Sequence, residues 1–182
     1  MPLTPQPSSE IPQTADEASL QARILSVLDS RHLMALATNR ADGWPQVTLV
    51  NYFRREHALY FVVATDSQKF ANITRDPRVS IAIGGGAAGP YSLSMSAHAT
   101  EVRDFELIER LNKTIQALPP ESGFTPHPGA SSVVLLQAEP QIITLVDYAK
   151  PPGHREILRV VESWNIQRTG PAHDERLDFQ TL

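Results

Sequence analysis

Residues Tyr60 to Gly84, YFVVATDSQKFANITRDPRVSIAIG, hold an apolar run, a short polar segment and a second apolar run. Tyr60 to Ala64 is aromatic and β-branched and too short for a helix of ordinary length, which predicts a strand. Thr65-Asp66-Ser67 is an N-cap cluster, whose side-chain oxygens can accept the free N–H groups of a first helical turn. A short helix is predicted over Ser67 to Arg75. Asp76-Pro77 ends it, because the residue before a proline is pushed out of helical geometry. Arg78 to Gly84 is strand again. A strand feeding a helix start, with Thr65, Ser67 and Lys69 gathered there, suits an anion: the backbone N–H groups point outward, the helix dipole is positive at that end, and Lys69 adds a full charge. The same residues also suit an ordinary capped surface helix with an exposed lysine, and local sequence leaves both readings open.

Upstream, Thr14 and Glu17 have capping-box spacing, so a helix is expected to start near Ala15. Leu20, Ile24, Val27 and Leu28 then share one helical face. Leu33 to Thr38 is a compact apolar run, Asn39 to Pro45 a turn built around Asp42-Gly43, and Gln46 to Phe53 a β-branched and aromatic run. Arg54 to His57 reads as a polar hairpin turn before Ala58 to Ala64. Three strands in meander order are therefore expected before the opening helix.

Downstream, residues 84–90 form a loose glycine loop. A strand, not a helix, follows it, so it lacks the context of a dinucleotide fingerprint. Tyr91 to Val102 is a strand whose Ser92, Ser94 and Ser96 alternate with Leu93, Met95 and Ala97. That serine face suits either solvent or a polar ligand pocket. Asp104 caps a helix carrying Leu107, Ile108, Leu111, Ile115 and Leu118 at helical spacing, and Pro119-Pro120 stops it. Glu121 to Ala130 is a loop. Ser132 to Ala138 and Gln141 to Tyr148 read as two strands separated by Glu139-Pro140, and Arg155 to Val161 as a last short strand. Short strands outnumber helices throughout, which predicts a mostly β protein, an antiparallel barrel with flanking helices. Residues 1–13 are expected to be a flexible lead-in, 14–162 the domain, and 163–182 a polar tail without periodicity.

The 182 residues suit one domain with a core, and 41% hydrophobic against 20% charged content marks a globular chain. A net charge of −4 gives no reason to expect nucleic acid as a partner. With no cysteine, thiol nucleophiles, Cys-ligated zinc and iron–sulfur clusters are excluded, and the composition fits the cytoplasm. No apolar stretch is long enough to span a bilayer, and the first residues lack the basic and apolar regions of a secretory signal. The six histidines, His32, His57, His98, His127, His154 and His173, have neither HxH nor HExxH spacing, so no metal site is expected. No nucleophile elbow or paired-carboxylate arrangement stands out. Trp44 and Trp164 suit core or interface anchors. If the protein is an enzyme, a bound cofactor carries the chemistry and the catalytic residues are not identifiable.

The order of motifs is more specific than any one of them. Leu33-Met34-Ala35-Leu36-Ala37-Thr38, Asp42-Gly43-Trp44-Pro45, Leu59-Tyr60-Phe61, Ser67-Gln68-Lys69, Asn72 and Asp76-Pro77-Arg78-Val79-Ser80 follow one another as in the FMN-binding split-barrel family related to pyridoxamine 5′-phosphate oxidase. The chain resembles that family from about residue 20 to about 162. A later segment, Asp147-Tyr148-Ala149-Lys150 with Gly153-His154, is similar to a DYxKGxGH stretch of several uncharacterised members.

The resemblance implies a six-stranded antiparallel split β-barrel with flanking helices, and a homodimer with FMN at the subunit interface. Ser67 and Lys69 match phosphate ligands, with Thr65 as a further donor. Val50, Asn51 and Tyr52 match the segment beside the isoalloxazine ring. Val62 and Val63 match residues backing the ribityl chain and ring, and Ser92 matches a position reaching the flavin across the dimer. Val47 and Tyr52 stand where the oxidase carries an arginine and a lysine, leaving Thr48 or Thr65 as substitutes. The oxidase's C-terminal substrate signature is absent. The function so implied is an FMN-dependent oxidoreductase whose substrate is not pyridoxamine phosphate. The alternatives are a flavin-binding or sensor module without turnover, or a split barrel holding deazaflavin F420 or haem.

Overall fold

A computed structural model describes residues 14–55, 58–84, 89–117, 132–150, 154–161 and 164–169. Its elements run α1 (Ala15–Asp29), β1 (Leu33–Asn39), β2 (Pro45–Asn51), β3 (Phe53–Arg55), β4 (Ala58–Ala64), α2 (Gln68–Arg75), β5 (Arg78–Gly84), β6 (Tyr91–Glu101), α3 (Phe105–Ala117), β7 (Val133–Asp147), β8 (Arg155–Val160) and β9 (Ile166–Arg168). The lead-in 1–13, the middle of the glycine loop, the loop over 121–130, the tail beyond residue 169, and His57, His127 and His173 lie outside the described residues.

Every strand pairing is antiparallel, in the order β2-β1-β5-β6-β7-β4-β3, with β8 on β7 and β9 on β8. The two ends of that path, β2 and β3, are joined in sequence through Tyr52 alone. A sheet whose outermost strands are one residue apart in the chain has to curl back on itself, and this produces the barrel.

The expected meander of three strands is corrected here. β4 pairs with β7, and β2 is left with β1 as its ladder partner. The run from Gln46 to Phe53 breaks at Tyr52, whose N–H donates to His32 O at 2.8 Å and whose hydroxyl donates to Leu28 O at 3.0 Å. Val50 and Tyr52 enter the main core, whereas Phe53 enters a second cluster with Tyr60, Leu111 and Leu135. Val50 and Tyr52 on one face and Phe53 on the other keep the ordinary alternation of a strand, so the break is a change of ladder: β2 pairs with β1 as far as Asn51, and β3 with β4 from Phe53.

The predicted pair of strands around Glu139-Pro140 is one strand of 15 residues. Pro140 is tolerated because β4 leaves β7 at Ala138 and β8 joins it at Ile142, so no neighbour on that edge needs its missing N–H. On the other edge the register with β6 shifts between Ser96 and Ala97, placing a bulge at the same point. At the far end of β6, Gly84 has a φ of +137°, and a Cβ there would lie 2.6 Å from the Cα of Ser92. No other residue allows β5 and β6 to approach so closely.

Helix α1 has the expected capping box, Thr14 with Glu17, and buries Leu20, Ile24, Val27 and Leu28. Each such side chain contributes roughly 1.5–3 kcal/mol when fully buried. The domain does not stop at residue 162. Trp164 and Ile166 join the main core, β9 pairs with β8, and Gln21 Nε2 donates to Trp164 O at 2.9 Å. A strand of three residues is too short to show a period, which is why this segment reads as tail.

Candidate functional site

The polar segment between β4 and α2 begins where β4 leaves the barrel. Ser67 is the N-cap: its hydroxyl accepts the Phe70 N–H at 3.2 Å and donates to Ala64 O at 2.7 Å. The N–H groups at the head of α2 have no acceptor one turn back, so Gln68 and Lys69 present theirs outward. Thr65 is tied to the residue before β7, its N–H donating to Ser132 O at 3.2 Å and its hydroxyl bonding that of Ser132. Both hydroxyls expected to hold an anion are therefore engaged, and either has to rotate to serve one.

Lys69 differs. It is half-buried, and desolvation alone pushes its ammonium below the usual lysine value. Among the described residues it has no hydrogen-bond or ion-pair partner. A cation kept partly out of water without a counter-charge favours an incoming anion, and the helix dipole acts in the same sense.

The helix is held in place by an amide cluster. Asn72 is 1% exposed. Its Nδ2 donates to Thr38 Oγ1 and to Gln46 Oε1, both at 3.0 Å, while Gln68 Nε2 donates to its Oδ1 at 2.9 Å. One side chain thus links α2 to β1 and β2. Asp76 closes the helix from its other end, accepting from Asn39 Nδ2 at 2.9 Å and pairing with Arg78 at 2.8 Å. The Arg78 guanidinium, the Asn39 amide and the Arg78 backbone N–H hold the Asp76 carboxyl well below the usual carboxylate range. Asn72→Leu is expected to strand the buried Thr38 hydroxyl, costing about 1–3 kcal/mol of stability. Chemical denaturation measures that loss, and a value near zero would mean that α2 is held by other contacts.

The remaining expected site residues divide by face. Asn51 is half-buried, but the side chains of Val50 and Tyr52 are in the main core, so only their backbone is available to a ligand. Val63 likewise points into the barrel, and Val62 faces the second cluster beneath α3. Adjacent strand residues point to opposite faces, so Val62 and Val63 do not present their side chains together. Thr48, named as a substitute contact, has its Oγ1 buried without a partner among the described residues, between the outward-facing Val47 and Leu49. Asn51 pairs with Leu33 at the end of the β1–β2 ladder, two residues before Phe53, which pairs with Tyr60 of β4.

Ser92 is remote from Val62 within one chain. Val62 pairs with Leu135 and Ser92 with Val146, and ~35 Å of strand separates those two positions of β7 at about 3.3 Å per residue. Ser94 and Ser96, on the same strand, are exposed. On the outer face of β1 and β2, Leu33, Val47 and Leu49 are 49%, 63% and 70% exposed. Trp44 in the preceding turn is 72% exposed.

Sequence reading missed the role of Asn72, although the residue belongs to the motif series. Its partners Thr38 and Gln46 lie in other elements, and no local pattern announces them. Among the described residues no three histidine or carboxylate side chains gather to hold a metal ion. No helix among them is long and apolar enough to cross a membrane.

The model of the pyridoxamine 5′-phosphate oxidase family matches residues 20–146. No curated protein matches the sequence. Among solved structures, the fold is similar to that of the General Stress Protein 26 from Bacillus anthracis str. Sterne, at 20% identity and a TM-score of 0.58, over 77% of this chain and 98% of that one. A heme binding protein from Mycobacterium smegmatis is similar at 20% identity and 0.60, over 82% of this chain and 59% of that one. A FAD-binding protein from Mesorhizobium loti is similar at 16% identity and 0.56, over 68% and 90%.

Proposed function

The chain belongs to the pyridoxamine 5′-phosphate oxidase family, and from that premise we propose that it is an FMN-binding flavoprotein, an oxidoreductase acting on a substrate other than pyridoxamine phosphate. The observation that carries the reading is Lys69, half-buried at the head of α2 with no partner among the described residues. The FMN phosphate supplies the counter-charge, the first-turn N–H groups of α2 hold its oxygens, and Ser67 and Thr65 add hydroxyls on rotating. Asn51 bonds the polar edge of the flavin ring. The backbone of Val50 to Tyr52 and of Val62 to Val63 lines the ring and ribityl chain. The flavin supplies the redox chemistry when bound, and the protein binds and orients it.

The functional unit in this proposal is a homodimer. The ~35 Å of β7 between Ser92 and Val62 supports a contact of Ser92 with the flavin from a second copy. The exposed Leu33, Val47 and Leu49 on one face supply apolar surface for that contact. The compartment is the cytoplasm, in keeping with a chain without cysteine.

The test is the spectrum of the protein purified without added cofactor, followed by titration with FMN. A yellow protein with flavin absorbance, or saturable quenching of FMN fluorescence, supports the reading. A colourless protein that leaves FMN fluorescence unchanged would sink it. Relatives named for haem and for FAD make the same spectrum informative about rivals: a Soret band points to haem and a deazaflavin spectrum to F420. The second reading, a flavin carrier without turnover, is favoured by Val47 and Tyr52 standing where the oxidase carries an arginine and a lysine. Steady reoxidation with product formation across a substrate panel would exclude it.

A further inference from the structure

The motif residues Asp147, Lys150 and His154 have no part in the flavin seat, yet they line a separate cavity of about 140 Å³ between α1 and the ends of β7, β8 and β9. The apolar contact of α1 with the sheet stops at Leu20 and Leu145, and beyond them the walls become charged. Arg23, Lys150 and Arg168 are set against Asp16, Asp147 and Glu156. The described wall is thus balanced in formal charge, with His154 as the remaining ionisable group.

Part of this set is already satisfied. Arg168 bonds Asp16 at 2.8 Å and Glu156 at 3.2 Å, joining β9 to α1 and β8. His154 lies 3.7 Å from Glu156 and 3.2 Å from Lys150. Two groups are left incomplete. Arg23 lies over the Tyr91 ring at 5.8 Å and has no carboxylate partner among the described residues. Asp147 is 5% exposed; its Oδ1 accepts the Ala149 N–H at 3.0 Å, but among the described residues its Oδ2 has only an ion pair with Lys150 at 3.9 Å. A buried carboxylate so weakly paired is costly, and a ligand cation would relieve it. Tyr91 and Asp147 are register partners, so their side chains lie on one face of the sheet and Arg23 stands over that face.

We propose that this cavity is a second ligand site, for a small zwitterion of the α-amino acid class. The ligand carboxylate bonds the Arg23 guanidinium, and its ammonium bonds Oδ2 of Asp147. A simple anion would meet the Asp147 and Glu156 carboxylates, and a simple cation would meet Arg23 and Lys150, so only a molecule carrying both charges suits both walls. The size agrees: a single water needs ~10–15 Å³, so the cavity takes a molecule of several heavy atoms. It is smaller than the ~300–1,000 Å³ pockets of drug-sized ligands, and a flavin is excluded.

The experiment is thermal unfolding of the full chain with millimolar glycine, L-alanine, L-serine, L-glutamate or L-lysine, each compared with acetate and with methylamine. At least one amino acid is expected to raise the melting temperature in a concentration-dependent way, because a ligand that binds only the folded state stabilises it. Acetate and methylamine, which carry one charge each, are expected to give a smaller shift. Arg23→Gln and Asp147→Asn should each weaken the effect at least tenfold while FMN binding stays unchanged; asparagine keeps the acceptor for the Ala149 N–H, so the turn survives. No shift with any of the amino acids, an equal shift with acetate alone, or a shift that persists in Arg23→Gln would overturn the proposal.

Discussion

Trp164→Ala is expected to lower stability by about 3–5 kcal/mol, the range for truncating a fully buried tryptophan. In a domain of this size that corresponds to a fall in melting temperature of roughly 6–20 °C. The indole is 3% exposed and packs in the main core, although the residue follows the last strand legible in the sequence. Its φ of +69° is left-handed, which a bulky side chain tolerates only where surrounding contacts fix it. Those contacts are present: Gln21 Nε2 donates to its carbonyl, and Val161 N–H donates to Asn165 O at 2.8 Å across the turn. Trp164→Phe is the informative control. The Nε1 proton is buried with no partner among the described residues, so phenylalanine forfeits no hydrogen bond there and loses only volume. Calorimetry checks both. An alanine variant melting within a degree or two of the parent would mean that residues 164–169 do not belong to the folded unit.

Lys69→Ala is expected to weaken FMN binding by about 1.5–3 kcal/mol, the worth of a charge-assisted contact, or roughly 10–150-fold in Kd. Fluorescence titration measures it, and unchanged affinity would place the phosphate elsewhere. The pH dependence follows from the same burial. Only the ammonium pairs with phosphate, so affinity falls as pH rises through the Lys69 pKa, which desolvation has moved below the usual lysine value. On the acid side affinity falls as the phosphate takes its second proton, near pH ~6. Lys69→Arg should remove the alkaline limb, because a guanidinium stays charged throughout. Without ligand the sign reverses for stability. Below its folded-state pKa the charged Lys69 is penalised, and the penalty is relieved as pH climbs toward the unfolded value of about 10.4.

Legibility in the sequence tracked the range of the forces involved. The capping box of Thr14 and Glu17, the cap at Ser67 and the stop at Asp76-Pro77 are contacts within a few residues, and each is where the residue types put it. The alternation of Arg78 to Gly84 shows directly which side of β5 faces the core. The break at Tyr52 is hidden, because the apolar alternation runs on through Val50, Tyr52 and Phe53 and only the change of ladder partner, from β1 to β4, marks it. Pro140 misled for the opposite reason: proline ordinarily ends a strand, and its tolerance here depends on where β4 and β8 stop, far away in sequence. In the site, Lys69 announces itself as a cation at a helix start. The amides that position it do not, since Asn72 meets Thr38 and Gln46 across 34 and 26 residues.

The dependence of α1 on β9 sets an order of events on the ribosome. Arg168 bonds Asp16, its N–H donates to Glu17 Oε1 at 3.3 Å, and Gln21 bonds the carbonyl of Trp164. Helix α1 therefore finds several of its partners in a segment made well over a hundred residues later. At ~5–20 residues per second, synthesis leaves roughly 10–30 s between them. During that interval Leu20, Ile24 and Leu28 have no completed sheet to cover, and the nascent chain exposes an amphipathic stripe of the kind that chaperones bind.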